Sequence, residues 1–177
     1  MKAVTIEDVK SAIRDVPDFP KEGILFKDIT TALKQPQLFN FIVDYFADIY
    51  KDAGITKIAC IESRGFILGG ALAHKLNAGF VPVRKPGKLP SEKYVVEYEL
   101  EYGTDKLEIH TDAFDPTDVV LVHDDLLATG GTANATYQLV SKFHVQKVSF
   151  SFLCELTFLH GRERLKELGL VHSMFTF

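Results

Sequence analysis

Residues 119–132 read VVLVHDDLLATGGT. A valine-rich apolar run of strand character meets two acids, then a turn of small residues, then the helix-like ATYQLVSKF at 135–143. Each part has a chemical use. Ala128, Gly130 and Gly131 carry little or no side chain, so backbone N–H groups there can approach an anion closely. A helix beginning near Thr132 directs its positive end at the same place. Thr129 and Thr132 add hydroxyl donors. The stretch is expected to be a phosphate cradle, and it is not a Walker A loop, because no Gly-Lys-Ser/Thr follows. Asp124 and Asp125, at the strand's carboxyl end, sit where ligands bind in open α/β sheets. Such a pair can accept hydrogen bonds from ribose hydroxyls or approach a hydrated Mg²⁺. An acid pair by itself reads as a solvated strand end; acids, cradle and helix together point to a ligand site.

Strands and helices alternate outward from this stretch. KIACIE (57–62) and GFVPV (79–83) read as short buried strands, with the helix GFILGGALAHKLN (65–77) between them. VQKVSFSFLCEL (145–156) is a long strand, RERLKEL (162–168) a helix and LVHSMFTF (170–177) a last strand. This alternation predicts an α/β domain with a mainly parallel sheet. YVVEYELEYG (94–103) and KLEIHT (106–111) alternate apolar and polar residues and predict an antiparallel hairpin. Glu97, Glu99 and Glu101 share one face of it, as a solvated row would. RKPGKLPSEK (84–93) is loop by composition. Pro36 begins a helix whose apolar stripe is Leu38, Phe39, Ile42, Val43, Phe46 and Ile49, with Gly54 as its cap. Ile6, Val9, Ile13 and Val16 predict an amphipathic N-terminal helix ended by Pro17 and Pro20. The spacing in EGILFKDITTALKQP assigns no element.

The chain has 177 residues, one domain's worth, so 1–177 is read as a single domain. Its formal net charge of −4 argues against a surface that coats nucleic acid or anionic membrane. Residues 84–93 depart from this balance: Arg84, Lys85, Lys88 and Lys93 against Glu92 give a local +3, leaving −7 on the remainder. Prolines and a glycine within that cationic run suit a positioned or closing flap. Cys60 and Cys154 lie apart in apolar runs, with neither metal-ligand spacing nor a disulfide framework. Buried thiols of this kind fit a cytoplasmic protein. No apolar run approaches the length of a membrane span.

DDLLATGGT resembles the 5-phosphoribosyl-1-pyrophosphate (PRPP) motif of type I phosphoribosyltransferases, and its form looks most like the adenine phosphoribosyltransferase family. DFPKEGILFKDIT (18–30) is similar to that family's base-binding segment, which makes 1–35 a hood. ESRGFILGGALA (62–73) with VPVRKPGKLP (81–90) looks like its pyrophosphate and mobile loops, and YELEYGTDKLEIHTDA (98–113) like its catalytic hairpin. FLHGRERL extends the match towards the C-terminus. The PRPP motif identifies the superfamily; its combination with LEYG and ESRGF is more specific.

The resemblance implies the type I phosphoribosyltransferase fold, PRPP and adenine as substrates, Mg²⁺ as cofactor, and a homodimer. Ala128, Thr129, Gly130, Gly131 and Thr132 would hold the 5′-phosphate. Asp124 and Asp125 would hold the ribose hydroxyls and position Mg²⁺, partly through water. Ser63, Arg64, Arg84, Lys85 and Lys88 would receive pyrophosphate, with a cis peptide expected near Glu62–Arg64. Glu101 matches a residue near purine N7 that exchanges a proton, and Arg64 joins it as a catalytic group. Tyr102 would help the loop close. Leu25, Phe26, Lys27 and Leu126 would form the adenine pocket, with backbone groups of Leu25 matching N6 and N1. The chain departs from the family pattern at Lys27, where Arg is usual, and at His123, whose expected role is packing beside the sheet. Lys27 keeps another purine base open as a substrate. A non-catalytic PRPP-binding regulator is disfavoured, because the chain has no room for an added DNA-binding domain and keeps Glu101.

Overall fold

Strand β7 (Val119–Leu127) lies at the centre of a five-stranded sheet in a computed structural model of the chain, which describes residues 3–99 and 103–177. Its neighbours are β3 (Lys57–Ile61) and β8 (Lys147–Glu155); β4 (Gly79–Val83) and β9 (Leu170–Thr176) form the edges. Every pairing in the order β4-β3-β7-β8-β9 is parallel. Both faces of the sheet are covered, which is why Ile58–Ile61 in β3 and Val119–Val122 in β7 are unbroken apolar runs rather than alternating ones. Ile58, Cys60 and Leu121 face one core with Ile42 and Phe46; Ala59, Ile61, Val120 and Val122 face the other with Leu139 and Phe143. This is the expected α/β fold.

Helix α3 (Pro36–Tyr50) covers the first face, with proline in its first turn as expected. Leu38, Ile42, Val43 and Phe46 are buried, but Ile49 is exposed and Tyr50 is buried instead. Tyr50 can sit inside because its hydroxyl donates to the Phe150 carbonyl at 3.3 Å. Gly54 takes φ 68° in the turn four residues beyond the helix. Helix α4 (Gly65–Leu76) joins β3 to β4 and lies so close to β3 that a Cβ at Gly69 would overlap the Cys60 sulfur. Helix α5 (Gly131–Ser141) lies on the second face, and α6 (Gly161–Leu165) joins β8 to β9.

The N-terminal segment differs from the sequence expectation. Helix α1 (Ile6–Ala12) is closed at its start by a capping box between Thr5 and Asp8, and ends when Ile13 turns extended. Val16 therefore belongs to a strand, β1 (Arg14–Pro17), paired antiparallel with β2 (Leu25–Asp28). β2 and the short α2 (Thr30–Leu33) are the elements hidden in EGILFKDITTALKQP. This ribbon is the hood. Strands β5 (Lys93–Glu99) and β6 (Thr104–His110) form the expected hairpin. Among the described residues no helix is long and apolar enough to cross a membrane.

Candidate functional site

Strand β7 runs on through the acids to Leu127 and delivers Ala128–Thr132 directly to the start of α5. Gly130 holds φ 76°, a left-handed conformation that side chains resist. A Cβ at Gly130 would stand 2.7 Å from the Gly161 carbonyl oxygen, and one at Gly161 would overlap the Ala128 carbonyl. The loop and the start of α6 are therefore packed backbone against backbone. The cavity they leave is about 60 Å³ and is lined by Asp124, Leu126 and the loop residues through Thr132. Gly131 opens α5, so the first amides of an eleven-residue helix face this space.

Asp124 borders the cavity, with Asp125 next to it in the strand. Asp125 is buried, and Arg64 Nε stands 3.0 Å from its Oδ2 without the alignment for a hydrogen bond. Asp124 Oδ1 accepts from the Asp125 amide at 2.9 Å. Burial, then the charge of Asp125, pushes the Asp124 carboxyl well above the ordinary range. Burial raises Asp125 as well, with Arg64 working against it. A Cβ at Gly65 would lie 3.0 Å from Asp124 Oδ1, so the first turn of α4 presses on the acids. The donor chemistry fits Mg²⁺: hard carboxylate oxygens, one of them buried and without a hydrogen-bond partner. Among the described residues no group of three His, Cys, Asp or Glu stands close enough together to hold a metal ion by itself.

Arg64 also reaches the hood. Its guanidinium lies 4.8 Å from the centroid of the Phe26 ring, which meets Phe19 edge-on at 5.1 Å. Leu25 is exposed and Leu126 half-buried. Lys27 is engaged inside the protein: its side chain is 9% exposed, with Nζ 2.6 Å from Asp15 and 4.0 Å from the Phe177 ring centroid.

The Glu62–Ser63 peptide is cis, where one was expected, and Ser63 is exposed. Arg84 Nε donates to Glu62 at 3.1 Å and the Lys85 amide donates to the same oxygen at 2.9 Å. Against the effect of burial, these bonds hold Glu62 below the usual carboxylate range. Lys85 Nζ lies 2.8 Å from Asp105 on the hairpin, and Lys88 is exposed. The +3 of residues 84–93 is thus offset by Glu62, Asp105 and Glu108, the last 4.0 Å from Lys93. Glu101 and Tyr102 lie outside the described residues. Glu97 pairs with Lys106 at 2.9 Å, an exposed cross-strand contact. Two residues that sequence reasoning passed over meet the site, Gly161 against the loop and Asp105 on Lys85. The glycine in HGRERL was the signal for the first.

His123 is fully buried, 2.8 Å from the Ser151 hydroxyl through Nδ1 and edge-on to Phe46. Burial lowers its pKa to about 4, against an ordinary 6.5. Between those values the unfolded chain binds a proton that the folded chain refuses, so stability falls as pH drops from about 6.5 towards 4. At pH 5 the loss from this one group is about 2 kcal/mol. Melting curves at pH 7 and pH 5 should show a larger drop for the native chain than for His123→Asn; equal drops would remove His123 from the account. Cys60 and Cys154 are buried and free, and burial pushes the Cys154 thiol up to about 12, so neither is a nucleophile at neutral pH.

The family model described as the phosphoribosyl transferase domain matches residues 29–175. The chain is 57% identical over 160 residues to an adenine phosphoribosyltransferase of Acaryochloris marina, covering 90% of this chain and 94% of the relative. It superposes with a TM-score of 0.92 on the crystal structure of adenine phosphoribosyltransferase from Rhodothermus marinus, at 52% identity over 97% of this chain and 98% of the other. The enzyme from Giardia lamblia complexed with 9-deazaadenine gives a TM-score of 0.94 at 38% identity, covering 98% of both chains. A family model over most of the chain and relatives more than half identical over nearly its full length show that the chain belongs to the adenine phosphoribosyltransferases of the phosphoribosyl transferase family.

Proposed function

We propose that this chain transfers the 5-phosphoribosyl group of PRPP to N9 of adenine, releasing pyrophosphate and forming AMP. The observation that carries the reading is the meeting of three segments at Arg64, 3.0 Å from Asp125 and 4.8 Å from the Phe26 ring. Base, ribose and leaving group belong within that span. Ala128–Thr132 hold the 5′-phosphate on backbone N–H groups and threonine hydroxyls. Asp124 and Asp125 accept from the ribose hydroxyls and hold Mg²⁺, which when bound offsets charge on the diphosphate.

Adenine N9 displaces pyrophosphate from C1, so the C1–O bond breaks as the C1–N9 bond forms. C1 becomes oxocarbenium-like and the leaving group gains negative charge, which Arg64, the Ser63 segment and the cationic loop stabilise. Glu101 exchanges a proton with the purine, and closure at Tyr102 excludes water. Phe26 and Leu126 supply apolar surface, while the backbone of Leu25 reads N6 and N1. A 6-oxopurine reverses that donor–acceptor pattern and leaves groups unpaired. With the Lys27 ammonium held by Asp15, recognition rests on Leu25 and Phe26.

A homodimer in the cytoplasm is the assembly we favour. Ile67 and Phe80 are exposed apolar residues near the pyrophosphate segment, and light scattering reads the mass directly.

Purified protein with PRPP, Mg²⁺ and each purine in turn tests the reaction. AMP should form from adenine alone; turnover with hypoxanthine or guanine would overturn the base assignment. Glu101→Ala should lower kcat about a hundredfold with PRPP affinity retained. Parallel loss of both would remove Glu101 from proton transfer.

A further inference from the structure

Helix α6 has five residues, too few to hold its own position. Its first residue nonetheless forms the back wall of the Ala128–Gly130 loop, where neither Gly130 nor Gly161 has room for a Cβ. The next residue, Arg162, explains how the wall stays in place. Its Nε donates to Glu155 at 3.1 and 3.2 Å and its Nη2 to Glu155 Oε2 at 2.5 Å. Nη1 donates to the Val171 carbonyl at 2.7 Å, and Nη2 to the Ser173 hydroxyl at 3.3 Å. Ser173 in turn donates to Glu155 at 2.9 Å. Glu155 is 4% exposed and ends β8 in register with Leu127, the residue before the loop. The Leu156 amide donates to the Leu127 carbonyl at 2.9 Å, fixing the same strand end.

One guanidinium therefore ties α6 to β9 and to the strand end beside the loop. The fork geometry is what permits this, because an ammonium cannot hold a carboxylate bidentately and reach a carbonyl at once. We propose that Arg162, through Glu155, is a positioning residue for the 5′-phosphate subsite: it sets the shape of the loop, and hence affinity for the phosphorylated end of the ribosyl group, without touching substrate. The proposal rests on the reading of Ala128–Thr132 as the phosphate cradle.

The test compares ligands that occupy opposite ends of the site. In Arg162→Gln, affinity for ribose 5-phosphate and KM for PRPP should each weaken about tenfold, the scale of a small misplacement. Pyrophosphate affinity, KM for adenine and kcat at saturating PRPP should change less than about twofold, and Arg162→Lys should recover part of the loss. If Arg162→Gln folds poorly with Glu155 left buried and unpaired, the neutral double variant Glu155→Gln/Arg162→Gln carries the same expectation. Equal losses at pyrophosphate, adenine and ribose 5-phosphate would make Arg162 a general structural residue and overturn the proposal. Gly130→Val separates the two layers. If it leaves ribose 5-phosphate binding intact, the cradle reading fails. If it abolishes that binding while both Arg162 variants bind normally, only the role of Arg162 fails.

Discussion

A Gly130→Val chain is expected to lose PRPP affinity by about a thousandfold, the largest effect of any single substitution considered. Two obstacles act together. The left-handed φ of 76° costs a β-branched residue about 1–3 kcal/mol. The new Cβ would also stand 2.7 Å from the Gly161 carbonyl, a backbone atom that cannot swing aside as a side chain would. The loop has to open, and the amides proposed to hold the phosphate open with it. Losing two or three hydrogen bonds to a charged phosphate, each worth about 1.5–3 kcal/mol, gives about 4 kcal/mol or three decades of affinity. Titration calorimetry with PRPP and Mg²⁺ measures this, with a melting curve to show that the chain folds. An affinity within about tenfold of the native protein would mean that the phosphate does not sit on this loop.

Asp124→Asn should make the free protein more stable while weakening PRPP binding about a hundredfold, or about 2.7 kcal/mol. The carboxyl of Asp124 is raised well above 3.8 by burial and by the neighbouring Asp125. A folded-state pKa above the unfolded one means that the native chain holds its proton to higher pH. Stability from this group is therefore highest below 3.8 and declines as pH rises through the folded value. At neutral pH, where the unfolded chain would ionise this group freely, the carboxyl is a net cost to the fold. Asparagine removes the charge yet keeps an oxygen for the Asp125 amide, now 2.9 Å from Oδ1. Removing a buried like-charge contact is worth about 1–2 kcal/mol, several degrees in Tm for a chain of this size. In the proposed reading the ribose and metal would lose a charged ligand at the same stroke, so the Tm rise induced by PRPP should shrink. A lower Tm in the free variant would contradict the origin assigned to the strain.

The sheet was legible because its signals are local. VVLVH, KIACIE and SFLCEL are apolar runs of strand length, and a strand buried on both faces needs nothing else to declare itself. Pro36 and the stripe Leu38, Ile42, Phe46 marked α3 in the same way. The hood was legible as a segment, by its resemblance, but not its strands. β1 and β2 are four residues each, none of them fully buried, and they exist because they pair with one another across a turn rather than because either has strand periodicity. Helical spacing at Ile6, Val9 and Ile13 also extended falsely to Val16, since a 3.6-residue rhythm does not mark where the chain stops turning.

The site divides similarly. The cradle and acids are contiguous in sequence and could be read from one stretch. The partners of the cationic loop could not, because Glu62, Asp105 and Glu108 lie outside residues 84–93. Nor could the internal use of Lys27, whose partners Asp15 and Phe177 come from opposite ends of the chain.

Those carboxylate partners have a consequence for selectivity. Arg84 and Lys85 are not vacant charges waiting for any anion; each already holds an oxygen of Glu62 or Asp105. An incoming anion gains only the difference between its own oxygens and those it displaces. Chloride or a monovalent carboxylate offers no such difference, whereas a diphosphate, with several charged oxygens at fixed spacing, does. With pyrophosphate on this loop as proposed, the loop would stay silent in a solution of weak anions and answer to a multiply charged one.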